Sequence, residues 1–123
     1  MKKKILVVDD EKDVVFVISI SLIRAGYTII VAYDGLEALE LITNEKPDLV
    51  ILDIMMPKLD GYSVKIKLKE YPEAKNIPII VMTGKGNMKE AIILKEDTTI
   101  AHYFEKPFDM SELINKVNDV FVL

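Results

Sequence analysis

Short apolar runs alternate along the chain with longer amphipathic stretches. Lys4–Val8 is all but uniformly apolar and closes at Asp9-Asp10, which reads as a buried strand. Glu11–Ala25 follows with helical spacing and a stop at Gly26. Thr28–Ala32 predicts a second strand, and Asp34-Gly35 leads into a second helix, "LEALELITNE", that ends near Lys46-Pro47. Asp48–Leu52 predicts a third strand, Tyr62–Tyr71 a helix that stops before Pro72, and 77–82, "IPIIVM", a fourth strand opened by a proline. Asn87–Glu96 is a weaker helical stretch, Ala101–Phe104 a short fifth strand, and Met110–Val120 an amphipathic closing helix with Asp109 or Ser111 as its cap. Strands alternating with crossover helices require a parallel sheet covered on both faces. Right-handed crossovers make that an α/β fold with an open, doubly wound sheet.

Composition narrows the picture. The 123 residues fit one domain, half of them are hydrophobic, and no linker, repeat or second domain is visible. A net charge of −4 gives no basic surface for nucleic acid, and the absence of cysteine removes disulfides and thiolate-bound zinc. "MKKKILVVDD" imitates the basic start of a signal peptide, but its apolar run is cut short by acids. No stretch approaches the roughly 20 apolar residues that span a bilayer. We therefore expect a soluble, cytoplasmic protein without a membrane partner.

The chemistry gathers where the strands end. In such sheets ligands bind beyond the carboxyl ends of the strands, where strand order reverses. There the chain places Asp9 and Asp10 after the first strand, Asp53 after the third and Thr83-Gly84 after the fourth. Lys106 follows the fifth. Asp53 is the conspicuous member, because it closes the greasy run "LVIL" and an ionised group there is costly unless paired. Three neighbouring carboxylates repel, and a divalent cation resolves the conflict. Oxygen ligands without Cys or His favour magnesium or manganese. A metal, a lysine and a hydroxyl together predict a phosphoryl group, with Asp53 as the nucleophile for an acyl phosphate and Lys106 and Thr83 at the transferring oxygens.

"ILVVDDE", "DLVILDIMMPKLDGY", "IPIIVMTG" and "YFEKPF" resemble, in order and spacing over the whole chain, the receiver domains of two-component response regulators. The resemblance implies the flavodoxin-like strand order 2-1-3-4-5 and a phosphorelay switch rather than a turnover enzyme. It implies that Asp53 accepts a phosphoryl group from the phosphohistidine of a sensor histidine kinase or a phosphotransfer protein. It implies Mg²⁺ on Asp10, Asp53 and the backbone carbonyl of Met55, with Asp9 acting through water. Thr83 and Tyr103 would form the switch pair, and Lys106-Pro107 would be cis. With nothing after the last helix, the chain resembles a stand-alone receiver, monomeric or weakly dimeric. Met55 and Lys85 occupy positions thought to tune dephosphorylation. Met55 cannot orient a water by hydrogen bonding, so slow self-dephosphorylation is expected.

Blander readings stand beside these. Thr83 is an ordinary residue type for a strand end, and Tyr103 an ordinary core aromatic. His102 carries no expected role, the six methionines read as filler, and "TGKGN" lacks the spacing of a phosphate loop. A pseudo-receiver that only binds proteins is the main alternative. A dehalogenase-like phosphatase needs an acid where Met55 stands, and a flavodoxin-like carrier needs a hydroxyl-rich loop where Asp9-Asp10-Glu11 stands. On the first helix, Val14, Val15, Ile18 and Leu22 form the face expected to pack on the sheet. Phe16, Ile20 and Ile23 form an apolar stripe on the other side. That stripe is expected to dock the kinase or phosphotransferase, with self-association as the alternative.

Overall fold

The computed structural model describes residues 2–54, 61–68, 70–72, 74, 76–84 and 100–122. The expected fourth helix at Asn87–Glu96, the loop before the third helix, Met55 and Lys85 lie outside the described residues.

Five strands, β1 (Lys4–Val8), β2 (Thr28–Ala32), β3 (Leu49–Asp53), β4 (Ile79–Thr83) and β5 (Ile100–Glu105), form one sheet in the order β2-β1-β3-β4-β5. All four pairings are parallel. Among the described residues the helices are α1 (Lys12–Arg24), α2 (Gly35–Glu45), α3 (Gly61–Leu68) and α4 (Met110–Val120). The last of these is the helix expected to close the fold. The flavodoxin-like order and the doubly wound α/β class are as expected. None of the helices is long and apolar enough to cross a membrane.

The uniformly apolar strands are explained by two cores. Leu6, Val8, Val50, Leu52 and Val81 turn to the side of α2 and α3, with Ala38, Ile42 and Val64. Ile5, Val7, Ile51, Ile80 and Met82 turn to the other side, against Val15, Ile18 and Leu22 of α1 and Leu113 and Val117 of α4. Alternate residues leave the sheet on opposite faces, so a strand covered on both sides has no polar positions.

Helix ends follow local chemistry. The Asp34 carboxylate caps α2 by accepting from the Glu37 N–H at 2.8 Å. Gly26, just past α1, has φ 102°, and an added Cβ would meet nothing within 4 Å. Its glycine answers a backbone requirement, not a crowded one. Asp109 stands at the N-cap of α4, but its side chain makes no capping bond and Ser111 lies inside the helix. The backbone carbonyl of Asp109 takes the N–H groups of Glu112 and Leu113 instead.

α1, α2 and β5 start or end one residue from the expected bounds, and β3, β4 and α3 differ for reasons visible in their bonding. β3 runs one residue later: at its start the Asp48 carboxylate takes the Lys4 N–H at 2.8 Å, and at its end Asp53 pairs with Met82 of β4 and extends the strand. β4 begins at Ile79, since Pro78 has no N–H to give the ladder and offers only its carbonyl, to Val50. α3 stops at Leu68, where Glu70 and Tyr71 turn back to Lys67 and Leu68.

Candidate phosphoacceptor and metal site

Strand order reverses between β1 and β3, and the candidate residues meet at that crevice. Asp9 leaves β1 and donates its N–H to Ala32 at 3.2 Å, which holds the loop against β2. Asp53 ends β3 opposite Met82 of β4, and Ile54 donates to the Met82 carbonyl, fixing the chain as it leaves the strand. Thr83 ends β4 opposite Glu105 of β5. The Lys106 N–H donates to the Thr83 carbonyl at 2.7 Å, and this bond carries Lys106 to the same rim. The Lys106–Pro107 bond is cis, as expected.

Lys106 ties the acids together. Its Nζ donates to Asp9 Oδ2 at 2.6 Å and to Asp53 Oδ2 at 3.0 Å, and lies 3.4 Å from Glu11 Oε1. Asp9, Asp53 and Thr83 are buried, whereas Asp10 is exposed. Burial is the main influence on Asp9 and pushes its carboxyl up from 3.8 to about 6. The Lys106 bond and the Glu11 N–H, donated to Asp9 Oδ1 at 2.9 Å, oppose that rise, and the charge of Asp53 adds to it. Burial alone would lower the pKa of the Lys106 ammonium. The hydrogen bonds and charges of Asp9 and Asp53 outweigh it and hold the ammonium above its usual range.

The donor set fits a hard divalent cation. Asp9, Asp10 and Asp53 each present an oxygen, and these oxygens lie within 4.8 Å of one another. Two of the three acids are buried and share one ammonium, so negative charge at the rim is left over. Oxygen donors without sulfur or imidazole are the magnesium pattern. The fourth expected ligand, the carbonyl of Met55, lies outside the described residues.

Tyr103 is half-buried on β5 with its ring against the core of the α2–α3 side, level with Val81 and two residues before Glu105. The stripe residues point away from the sheet. Phe16 and Ile23 are more than half exposed and Ile20 is exposed, while Val15, Ile18 and Leu22 are buried beneath them. Beside α1 a cleft of about 510 Å³ runs to Lys106, floored by Val14, Val17, Ile18, Phe108 and Met110. Glu11 was not singled out in the sequence. Its place directly after Asp10 was the available signal, but only the fold shows that its carboxylate leans toward Lys106.

A flavodoxin-like sheet whose crevice carries clustered aspartates bridged by a lysine defines a receiver-type signalling domain. The chain belongs to the response regulator receiver domain family, whose model matches residues 5–118. It is 40% identical over 120 residues to the alkaline phosphatase synthesis transcriptional regulatory protein PhoP of Bacillus subtilis, covering 98% of this chain and 49% of that protein. It is 38% identical to the response regulator MprA of Mycobacterium ulcerans, covering 95% and 49%. The chain thus spans about half the length of the curated relatives it matches. Among solved structures, the receiver domain of the Francisella response regulator 1452 superposes with a TM-score of 0.85 at 35% identity, covering 97% of this chain and 96% of that one. Chemotaxis protein CheY4 of Vibrio cholerae gives 0.88 at 26%, covering 98% and 100%. The family places the chain in two-component phosphorelay signalling. Receiver domains bind Mg²⁺ at an acidic pocket, and aspartyl phosphorylation is typical of them.

Proposed function

We propose that this receiver takes a phosphoryl group on Asp53 from the phosphohistidine of a sensor kinase or phosphotransfer protein. The observation that carries the reading is the Lys106 ammonium held between Asp9 and Asp53 at a rim of three converging carboxylates. A carboxylate oxygen of Asp53 attacks phosphorus, the new O–P bond forms as the P–N bond breaks, and the imidazole leaves with its electron pair and is reprotonated. Asp10, Asp53 and the Met55 carbonyl would hold Mg²⁺, with Asp9 acting through water. The bound ion supplies positive charge at the transferring phosphoryl oxygens. Lys106, already beside Asp53, needs only a short movement to follow an oxygen of the arriving group. Thr83, buried at the end of β4, supplies a hydroxyl at the same rim, and its capture by the phosphoryl group would leave room for Tyr103 to turn inward. The receiver so read is a switch, phosphorylated once per signal, and not an enzyme with turnover.

The donor docks over α1. The cleft beside Lys106 and the stripe of Phe16, Ile20 and Ile23 supply an apolar contact close to Asp53, of the kind transient partners use. Incubation with Mg²⁺ and acetyl phosphate is expected to leave an acid-stable, alkali-labile phosphoryl group on the protein. A protein that takes no label from acetyl phosphate or phosphoramidate is a pseudo-receiver, and the reading fails. Replacing Phe16 and Ile20 together with Ser is expected to slow transfer from the phosphohistidine donor at least tenfold while acetyl phosphate labelling is kept. Equal loss with both donors would remove the docking role.

A further inference from the structure

The outer face of α1 carries a pattern that a transient contact does not require. Phe16, Val17, Ile20 and Ile23 are 66%, 51%, 36% and 54% exposed, so two consecutive turns offer water an almost wholly apolar surface. A helix lying on an open sheet normally shows polar residues there. Lys12, four residues before Phe16, stands at the start of the stripe with its ammonium 5.7 Å over the Tyr33 ring, and Asp13 in the first turn and Arg24 in the last stand at its two ends. Among the described residues neither Asp13 nor Arg24 makes an ion pair.

These two charges are eleven residues apart, about three helical turns, which places them within roughly 20° of each other on one flank of the stripe. Two copies of α1 laid antiparallel about a two-fold axis bring like flanks together. With the axis level with Ile18 and Ser19, Asp13 of one copy stands opposite Arg24 of the other, and the reverse contact forms by symmetry. Phe16 then falls at the height between Ile20 and Ile23 of the second copy, where a large ring fills the gap between two branched side chains. A parallel pairing would put the two charged flanks on opposite sides of the seam, where Asp13 and Arg24 could not meet.

We propose that α1 is a self-complementary docking face on which a second copy of this chain pairs antiparallel, covering the surface that the phosphodonor uses. The covering role rests on the donor reading given above; the pairing itself does not. The contact is a single pair of helices, smaller than a stable dimer interface, so the pairing is weak and set by concentration.

Sedimentation equilibrium of the full chain from about 10 µM to about 1 mM, a range suited to weak self-association, is expected to show the mass rising from 14.0 kDa toward twice that value. Asp13→Lys and Arg24→Glu are each expected to weaken association about tenfold or more, by setting like charges opposite one another. The double variant Asp13→Lys/Arg24→Glu is expected to restore it. A protein that stays monomeric throughout, or a dimer indifferent to the single reversals or not restored by the double one, overturns the proposal. Acetyl phosphate labelling is expected to be equal in all three variants, and its absence in every form sinks the phosphoacceptor reading without touching the dimer. Transfer from a phosphohistidine protein is expected to slow as the dimer fraction grows. Transfer independent of that fraction overturns the covering role.

Discussion

Lys106→Met is expected to destabilise the metal-free protein by about 3 kcal/mol at pH 8, because it strands buried carboxylates that had been paired. Asp9 is 0% exposed and receives the Lys106 ammonium at 2.6 Å; Asp53 receives it at 3.0 Å. Methionine keeps much of the length of lysine and removes only the charge and the donors, so packing loss is minor. The effect has a defined pH dependence. The folded-state value of Asp9, about 6, lies above its ordinary 3.8, so its ionisation opposes folding. Its contribution to stability is whole below about pH 4 and is lost as pH rises through about 6. Lys106 behaves oppositely in range, contributing below its ordinary 10.5 and losing its effect only as pH rises through its higher folded-state value. Removing the ammonium therefore enlarges the loss associated with Asp9 and leaves the variant closest to the parent at pH 5. Urea denaturation in a chelator at pH 5, 6, 7 and 8 reads this directly. A deficit constant across that range would mean that the lysine acts through packing and not through charge.

Asp53→Asn is expected to abolish phosphoryl incorporation, by at least about 100-fold, because an amide oxygen is no substitute for an ionised nucleophile. The same substitution is expected to leave the metal-free protein folded, within about 1 kcal/mol of the parent. The amide removes the repulsion of Asp53 on Asp9 and also its charge attraction to Lys106, while keeping an oxygen for the Lys106 ammonium. The pair of outcomes matters more than either one. A variant that neither labels nor folds says nothing of chemistry, whereas one that folds like the parent and is inert identifies Asp53 as the acceptor. Intact mass after acetyl phosphate treatment and a urea titration of the same preparation supply both readings.

Much of this site was legible in the chain itself, for reasons visible at particular residues. The bounds of β1 and β2 were plain because apolar runs there stop against Asp9 and against Tyr33-Asp34. The rim placement of Asp9, Asp53, Thr83 and Lys106 follows from the βα alternation alone, since parallel strands all finish at the same edge. The division of labour among the acids was not legible. Asp9 and Asp10 are adjacent and identical, yet one is sealed under the sheet edge against Lys106 and the other faces water. That depends on which way the chain turns after Val8. Both bounds of β3 fall one residue later than the apolar run suggests, because the Asp48 carboxylate takes the distant Lys4 N–H at one end and Asp53 pairs with Met82 at the other. Likewise the cap of α4 looked like a side-chain matter and turned out to be a backbone one. Periodicity separated the buried and exposed faces of α1 correctly, because Val15, Ile18 and Leu22 repeat at helical spacing. The flank shared by Asp13 and Arg24 depends on the same geometry.

A Mg²⁺ titration followed by calorimetry or by amide chemical shifts tests most directly whether the three rim carboxylates hold a divalent cation. Saturable binding of one ion is expected, with amide shifts centred on Asp9, Asp10 and Ile54, and with affinity reduced at least about tenfold by Asp10→Asn and left unchanged by Asp13→Asn. No saturable binding, or binding that Asp10→Asn leaves intact, would contradict it.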